Sequence, residues 1–190
     1  MNTRQLTNFD RRYPTLLGEW LGKHYGNNRV RVYKRAVEGG TTTSNRTWIQ
    51  ADITGFEPDL VTIRFGHNQM PAKGREAEAT RVFVADMVSY LEEVAGWTKT
   101  KPTAVVMTPN PRGQTDAQWS IFDGYADGLR TRARENRNLV LADVYQHFKA
   151  LANPEEYRKT YTSDGVHPTL KGDEEIARVL FKAITGEDRQ

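Results

Sequence analysis

The pentapeptide Thr103-Ala-Val-Val-Met107 constrains the fold more than any other stretch of this chain. After its first residue it carries no polar side chain on either alternating face. A strand of a half-solvated antiparallel sheet would alternate apolar with polar residues. A short apolar run bounded by prolines reads instead as a strand covered on both sides, and such strands belong to parallel sheets flanked by helices. The rest of the chain has the spacing this arrangement needs. Residues 59–65 (Asp-Leu-Val-Thr-Ile-Arg-Phe) and Leu139-Val-Leu-Ala142 read as further strands, and residues 29–36 as an earlier one built on Val30, Val32 and Tyr33.

Helices are predicted between and around these strands. One starts near Tyr13, with Pro14 in its first turn and Leu16, Leu17, Trp20 and Leu21 on one face, and stops at Gly26-Asn27-Asn28. Thr41–Ser44 supply cap residues for a short helix reaching about Ile53. A long amphipathic helix runs from about Arg75 to Val94, with Phe83, Met87, Tyr90 and Leu91 inward. Another, from about Trp119 to Glu135, buries Phe122, Tyr125, Ala126 and Leu129. Val144, Phe148 and Leu151 mark a fifth. The last is lined by Ile176, Ala177, Leu180 and Phe181 and begun by Asp173, Glu174 and Glu175, whose charges suit a helix N-terminus. This alternation, without repeat or linker, predicts one three-layer α/β/α domain over residues 1–190 with a parallel sheet, residues 1–12 being irregular.

Composition narrows the function classes. The 190 residues hold no cysteine, which excludes disulfides, thiolate metal sites and a cysteine nucleophile. The 27 basic residues are interleaved with 24 acidic ones, and no basic stripe carries aromatics between its charges, so no nucleic-acid partner is expected. No apolar run approaches the ~20 residues of a membrane span, and residues 1–12 are too polar for a signal peptide.

Chemistry gathers at the predicted C-terminal strand ends, where open parallel sheets collect ligands. Gly39-Gly40 follows the first strand, Gly66-His67-Asn68-Gln69 the second, and a proline-rich loop, Pro109–Asp116, the third. Near the end of the chain stands Asp164-Gly-Val-His167-Pro168. A carboxylate three residues before an imidazole can hold one ring nitrogen and leave the other free as a base, and Gly165 permits the turn. Two converging donors, such as a glycine N–H and an asparagine amide, suit an oxyanion. His67, Asp164 and His167 could alternatively bind a metal, but no helical histidine pair supports this, and no metal or other cofactor is expected.

The ordered set Gly39 (in Glu-Gly-Gly-Thr-Thr), Gly66-His67-Asn68 and Asp164-Gly-Val-His167-Pro168 resembles blocks two, three and five of the SGNH, or GDSL-type, hydrolases. The resemblance spans roughly residues 13–185. It implies a flavodoxin-like sheet and an ester hydrolase without metal, acting on a small-molecule ester or an acetylated carbohydrate. It further implies His167 as base, Asp164 as its orienter, and Gly39 and Asn68 as oxyanion donors. Gln69 stands where the family usually has aspartate, at a position that mainly supports the loop.

Block one departs from the family. Its serine belongs in a Gly-Asp-Ser tripeptide after a first strand, and neither is present. Thr3-Arg4-Gln5-Leu6-Thr7-Asn8 can be laid over that block, which puts Gln5 at the nucleophile position, and a glutamine amide does not attack esters. The expectation is therefore a domain incomplete at its N-terminus, or one whose sheet closes differently and whose catalysis is lost. In the second case it would bind carbohydrate or a protein partner. Of the four serines, Ser44, Ser89, Ser120 and Ser163, each reads as structural.

Overall fold

The computed structural model describes residues 12–70, 72, 74–99, 101–113, 115–136 and 138–189. Three parallel strands, β1 (Leu60–Ile63), β2 (Thr103–Met107) and β3 (Leu139–Ala142), form a sheet in the order β1-β2-β3. Leu60 pairs with Thr103 and Ala104 with Leu139, and the register continues without a bulge to Ile63–Val106 and Met107–Ala142. The apolar pentapeptide is the central strand, as its composition requires.

Its side chains divide the interior into two cores. Val105 and Met107 enter one, with Leu17, Phe148, Tyr157, Ile176 and Leu180. Val106 enters the other, with Ile63, Phe83, Met87, Phe122 and Tyr125. The period-two alternation of a strand thus serves both faces at once. Helices α1 (Tyr13–Tyr25), α5 (Val144–Leu151), α6 (Pro154–Thr160) and α7 (Leu170–Thr185) cover the first core, and α3 (Glu76–Trp97) and α4 (Asp116–Glu135) cover the second. Each fully buried side chain of this kind contributes about 1.5–3 kcal/mol. The fold is the three-layer α/β class that the strand–helix alternation predicts.

Four boundaries differ from the sequence reading. Residues 29–36 are extended but pair with no strand among the described residues. Arg29, Arg31, Lys34 and Arg35 make this segment too charged for a doubly covered strand, and it lies along α1 instead. Val32 sits over Gly18, the Lys34 ammonium donates to Thr15 Oγ1 at 3.2 Å, and Tyr33 leans on Phe56. The turn after Gly40 is not one helix. It is a 3₁₀ turn (Ser44–Trp48), a single α turn α2 (Ile49–Asp52) and a second 3₁₀ turn (Thr54–Phe56). The sequence reading missed α6, although Asn153 caps it through Glu156 N at 2.9 Å and Pro154 opens it. Finally, α7 begins at Leu170 with Thr169 as its cap, so Asp173 lies inside the first turn and is buried.

That buried carboxylate has a structural use. Its Oδ1 accepts the Tyr13 N–H at 3.2 Å and its Oδ2 accepts Arg12 Nη1 at 3.0 Å. The same Arg12 nitrogen donates to the carbonyl of Pro168 at 2.7 Å. Burial pushes the Asp173 carboxyl above its ordinary range, while Arg12 and the Tyr13 N–H pull the other way. The start of α1 is thereby fastened to the residue that follows His167.

Candidate active site

The segment between α6 and α7 folds back on itself. Thr162 and Pro168 form an antiparallel bridge, and Ser163 N donates to the His167 carbonyl at 2.9 Å. Gly165 takes φ +89°, a left-handed angle that a side chain rarely tolerates, which lets the chain reverse between Asp164 and His167. Within this turn Asp164 Oδ1 accepts the backbone N–H groups of Val166 (2.9 Å) and His167 (2.8 Å). Its other oxygen, Oδ2, lies 2.7 Å from His167 Nδ1. These bonds hold the Asp164 carboxyl well below the usual carboxylate range, the His167 N–H and ring contributing most. Because an ionised carboxylate only accepts, Nδ1 carries a proton toward it, and in the neutral form of the ring Nε2 holds the lone pair. Among the described residues Nε2 has no partner, and the two side chains are 68% (His167) and 52% (Asp164) exposed.

The loops after β2 and β1, and then the turn of Gly39, join this turn in sequence. After β2, Gly113 N donates to Gly165 O at 2.9 Å, and the amide of buried Asn110 reaches the Val166 carbonyl at 3.4 Å and the Tyr157 hydroxyl at 2.8 Å. Asn110 Oδ1 accepts Arg64 Nη1 at 3.1 Å. After β1, His67 Nε2 contacts the Asn110 carbonyl at 2.9 Å, and the His67 carbonyl accepts Arg112 Nη1 at 2.8 Å. Next to it, the Asn68 amide donates to the Gly40 carbonyl at 3.2 Å, which brings in the turn of Gly39. Gly39 itself is exposed at φ +71°, and the space a Cβ would take there is open, so a ligand can approach its backbone. Gln69 bonds Thr42 twice, accepting its N–H at 3.3 Å and donating to its hydroxyl at 2.8 Å. The glutamine therefore ties the loop after β1 to the turn after Gly40.

Two residues to which the sequence reading gave no part in an esterase site are central to this assembly. His67, considered there only as an alternative metal ligand, packs on Phe122, and its pKa falls from 6.5 to about 4. Burial is the main cause, followed by the charge of Arg64, then Arg112 and His167, against a raising contribution from the Asn110 carbonyl. A neutral ring facing a carbonyl donates from Nε2. Asn110 stands between two prolines at the end of β2, and that setting was its only sequence signal. Trp119, at the start of α4, is buried against Tyr157.

The four serines are engaged locally. Ser44 Oγ accepts Thr41 N at 2.8 Å, Ser89 Oγ accepts Arg46 at 3.1 Å, Ser120 Oγ donates to Ala117 O at 2.9 Å, and Ser163 Oγ donates to His167 O at 3.3 Å. Gln5 and its neighbours lie outside the described residues. Among the described residues no group of three or more His, Asp or Glu side chains is placed to hold a metal ion, and no helix is long and apolar enough to cross a membrane.

A parallel α/β sheet covered by helices, with an Asp–His turn beside the loops that follow its strands, defines an SGNH-hydrolase-like domain. The sequence model of the GDSL-like lipase/acylhydrolase family matches residues 3–174, and the chain belongs to that family. No curated protein matches the sequence. Similar solved structures include a protein from Parabacteroides merdae assigned as a GDSL-like lipase, 19% identical with a TM-score of 0.76, the match covering 96% of this chain and 87% of that one. The acetylxylan esterase Axe2 of Geobacillus stearothermophilus is 22% identical with a TM-score of 0.74, over 93% of this chain and 82% of its own. LAE5, an α/β hydrolase from the metagenome of Lake Arreo, is 23% identical with a TM-score of 0.68, over 91% and 81%.

Proposed function

We propose that the chain is an ester-hydrolase domain of the serine type, directed at acetyl esters of carbohydrates, with His167 as general base and Asp164 as its orienter, and with none of its four serines identified as the nucleophile. The observation that carries this reading is the Asp164–His167 pair itself: a carboxylate fixed by two backbone N–H groups, 2.7 Å from Nδ1, with Nε2 open. In such a site Nε2 takes the proton of an attacking hydroxyl, an acyl-enzyme forms as the alcohol leaves, and water releases the acid. The Gly39 N–H and the second N–H of the Asn68 amide are the oxyanion donors in this reading. Losing one such donor lowers turnover by about 10²–10³. The acetyl-ester assignment draws on Axe2, whose solved forms include catalytic mutants with a serine or an aspartate replaced by alanine.

A second reading is a domain that binds acetylated carbohydrate, or a protein partner, without cleaving it. It is favoured by one observation: all four serine hydroxyls are already occupied in turns, helices or an arginine contact. One experiment separates the two. The chain is treated with a fluorophosphonate and assayed on 4-nitrophenyl acetate and on acetylated xylo-oligosaccharide. Turnover and labelling that vanish in His167→Ala establish the hydrolase, and the labelled residue is its nucleophile. Binding of the acetylated sugar with neither labelling nor turnover establishes the second reading. Turnover that survives His167→Ala removes His167 as the base.

A further inference from the structure

We propose that the cleft between α3 and the Thr41–Thr43 turn is a sugar subsite that takes one neutral pyranose ring beside Gly39 and Asn68. The cleft encloses about 360 Å³, the lower end of the ~300–1,000 Å³ range of ligand sites. One wall is a single helix face, Ala79, Val82, Phe83 and Asp86, spaced i, i+3, i+4 and i+7. Facing it are Thr41, Thr43, Gln69 and Met70. Thr41 lies two residues past Gly39 and Gln69 one past Asn68, so the cleft opens where those two loops end.

The chemistry of its lining selects the occupant. Val82 is 45% and Met70 38% exposed, which leaves apolar surface facing the cleft mouth rather than a core. Asp86 supplies the polar contact. Its Oδ2 accepts the Thr42 hydroxyl at 3.4 Å, and among the described residues its Oδ1 has no partner. Arg46 bonds the Asp86 backbone carbonyl at 3.2 Å and forms its ion pair with Glu93. The Thr43 hydroxyl, too, has no partner among the described residues. An ionised carboxylate only accepts, so it binds hydroxyl donors and repels anions, fatty carboxylates included. A ligand that offers hydroxyls to Asp86 and Thr43 while laying a C–H face on Val82 and Met70 is a neutral sugar ring. The sugar is the alcohol portion of the ester only if the esterase reading holds; its binding needs no turnover.

The test is an amide NMR titration of the full chain with xylobiose, an unsubstituted neutral disaccharide. Saturable shifts at Thr43, Ala79, Val82 and Asp86 are expected. Asp86→Asn, which keeps size and shape, should weaken binding about tenfold, the loss of one hydrogen bond to a charged group. Val82→Glu, at an exposed helix position, should weaken it comparably. The proposal is overturned if xylobiose leaves these amides unmoved, if both variants bind it as the parent does, or if methyl hexanoate fills the cleft in preference to it. Failure of the esterase reading is seen separately, as turnover that does not depend on His167 while xylobiose still binds.

Discussion

His67 offers a quantitative test of the site's electrostatics. Its pKa of about 4 in the folded chain, against 6.5 for an unperturbed ring, means that the unfolded chain binds a proton the folded one refuses. As pH falls below 6.5 the unfolded state gains protons first, so stability drops, and the drop ends near pH 4 where the folded ring also protonates. At about 1.4 kcal/mol per pH unit, the gap between the two values corresponds to a loss of up to about 3 kcal/mol. The assay is urea unfolding of the parent and of His67→Gln at half-unit steps from pH 7.5 to 4.5. Glutamine retains an amide donor for the Asn110 carbonyl but does not titrate. The difference between the two stabilities should shrink steadily across that window as the parent loses its pH-dependent part. The depressed Asp164 carboxyl is common to both proteins and cancels in the difference. Parallel curves would refute the claim that Arg64, Arg112 and burial keep this ring neutral.

Three further outcomes follow from the packing and the hydrogen bonds. The Asp164 carboxyl should stay ionised well below pH 3.8 in a carbon-detected NMR titration, and a midpoint near 4 would show that the His167 N–H and ring do not hold it. Gly172→Ala places a Cβ 2.1 Å from the Tyr161 carbonyl oxygen, a backbone atom that cannot swing aside, and should cost about 3 kcal/mol or more of unfolding free energy. An unchanged denaturation midpoint would contradict that geometry. Asn110→Ala removes the partner of Arg64 and frees the Val166 carbonyl. Its expected cost is about 1–3 kcal/mol, with faster hydrogen exchange at the Val166 and His167 amides.

Much of this was legible in residue order alone. The pentapeptide at 103–107 announced a doubly covered parallel strand because burial on both faces leaves no place for a polar residue, and the helix cores followed from their 3.6-residue spacing. The Asp164–His167 pair was equally local, since three residues and a glycine suffice to bring a carboxylate onto an imidazole. What the order of residues left open depends on neighbours far along the chain. A segment such as residues 29–36 becomes a strand only if a ladder partner stands beside it, and its own valines carry no information about that partner. Whether Asp173 caps a helix in water or is buried on Arg12 depends on a contact with the other end of the chain. The same holds for His67 and Asn110, a loop histidine and an asparagine between prolines. They become the link between three loops because tertiary packing buries Asn110, covers much of His67 and sets Arg64 and Arg112 around the ring. Local periodicity and turn chemistry thus determined the class of fold and half of the site. Long-range burial and charge decided how its loops meet.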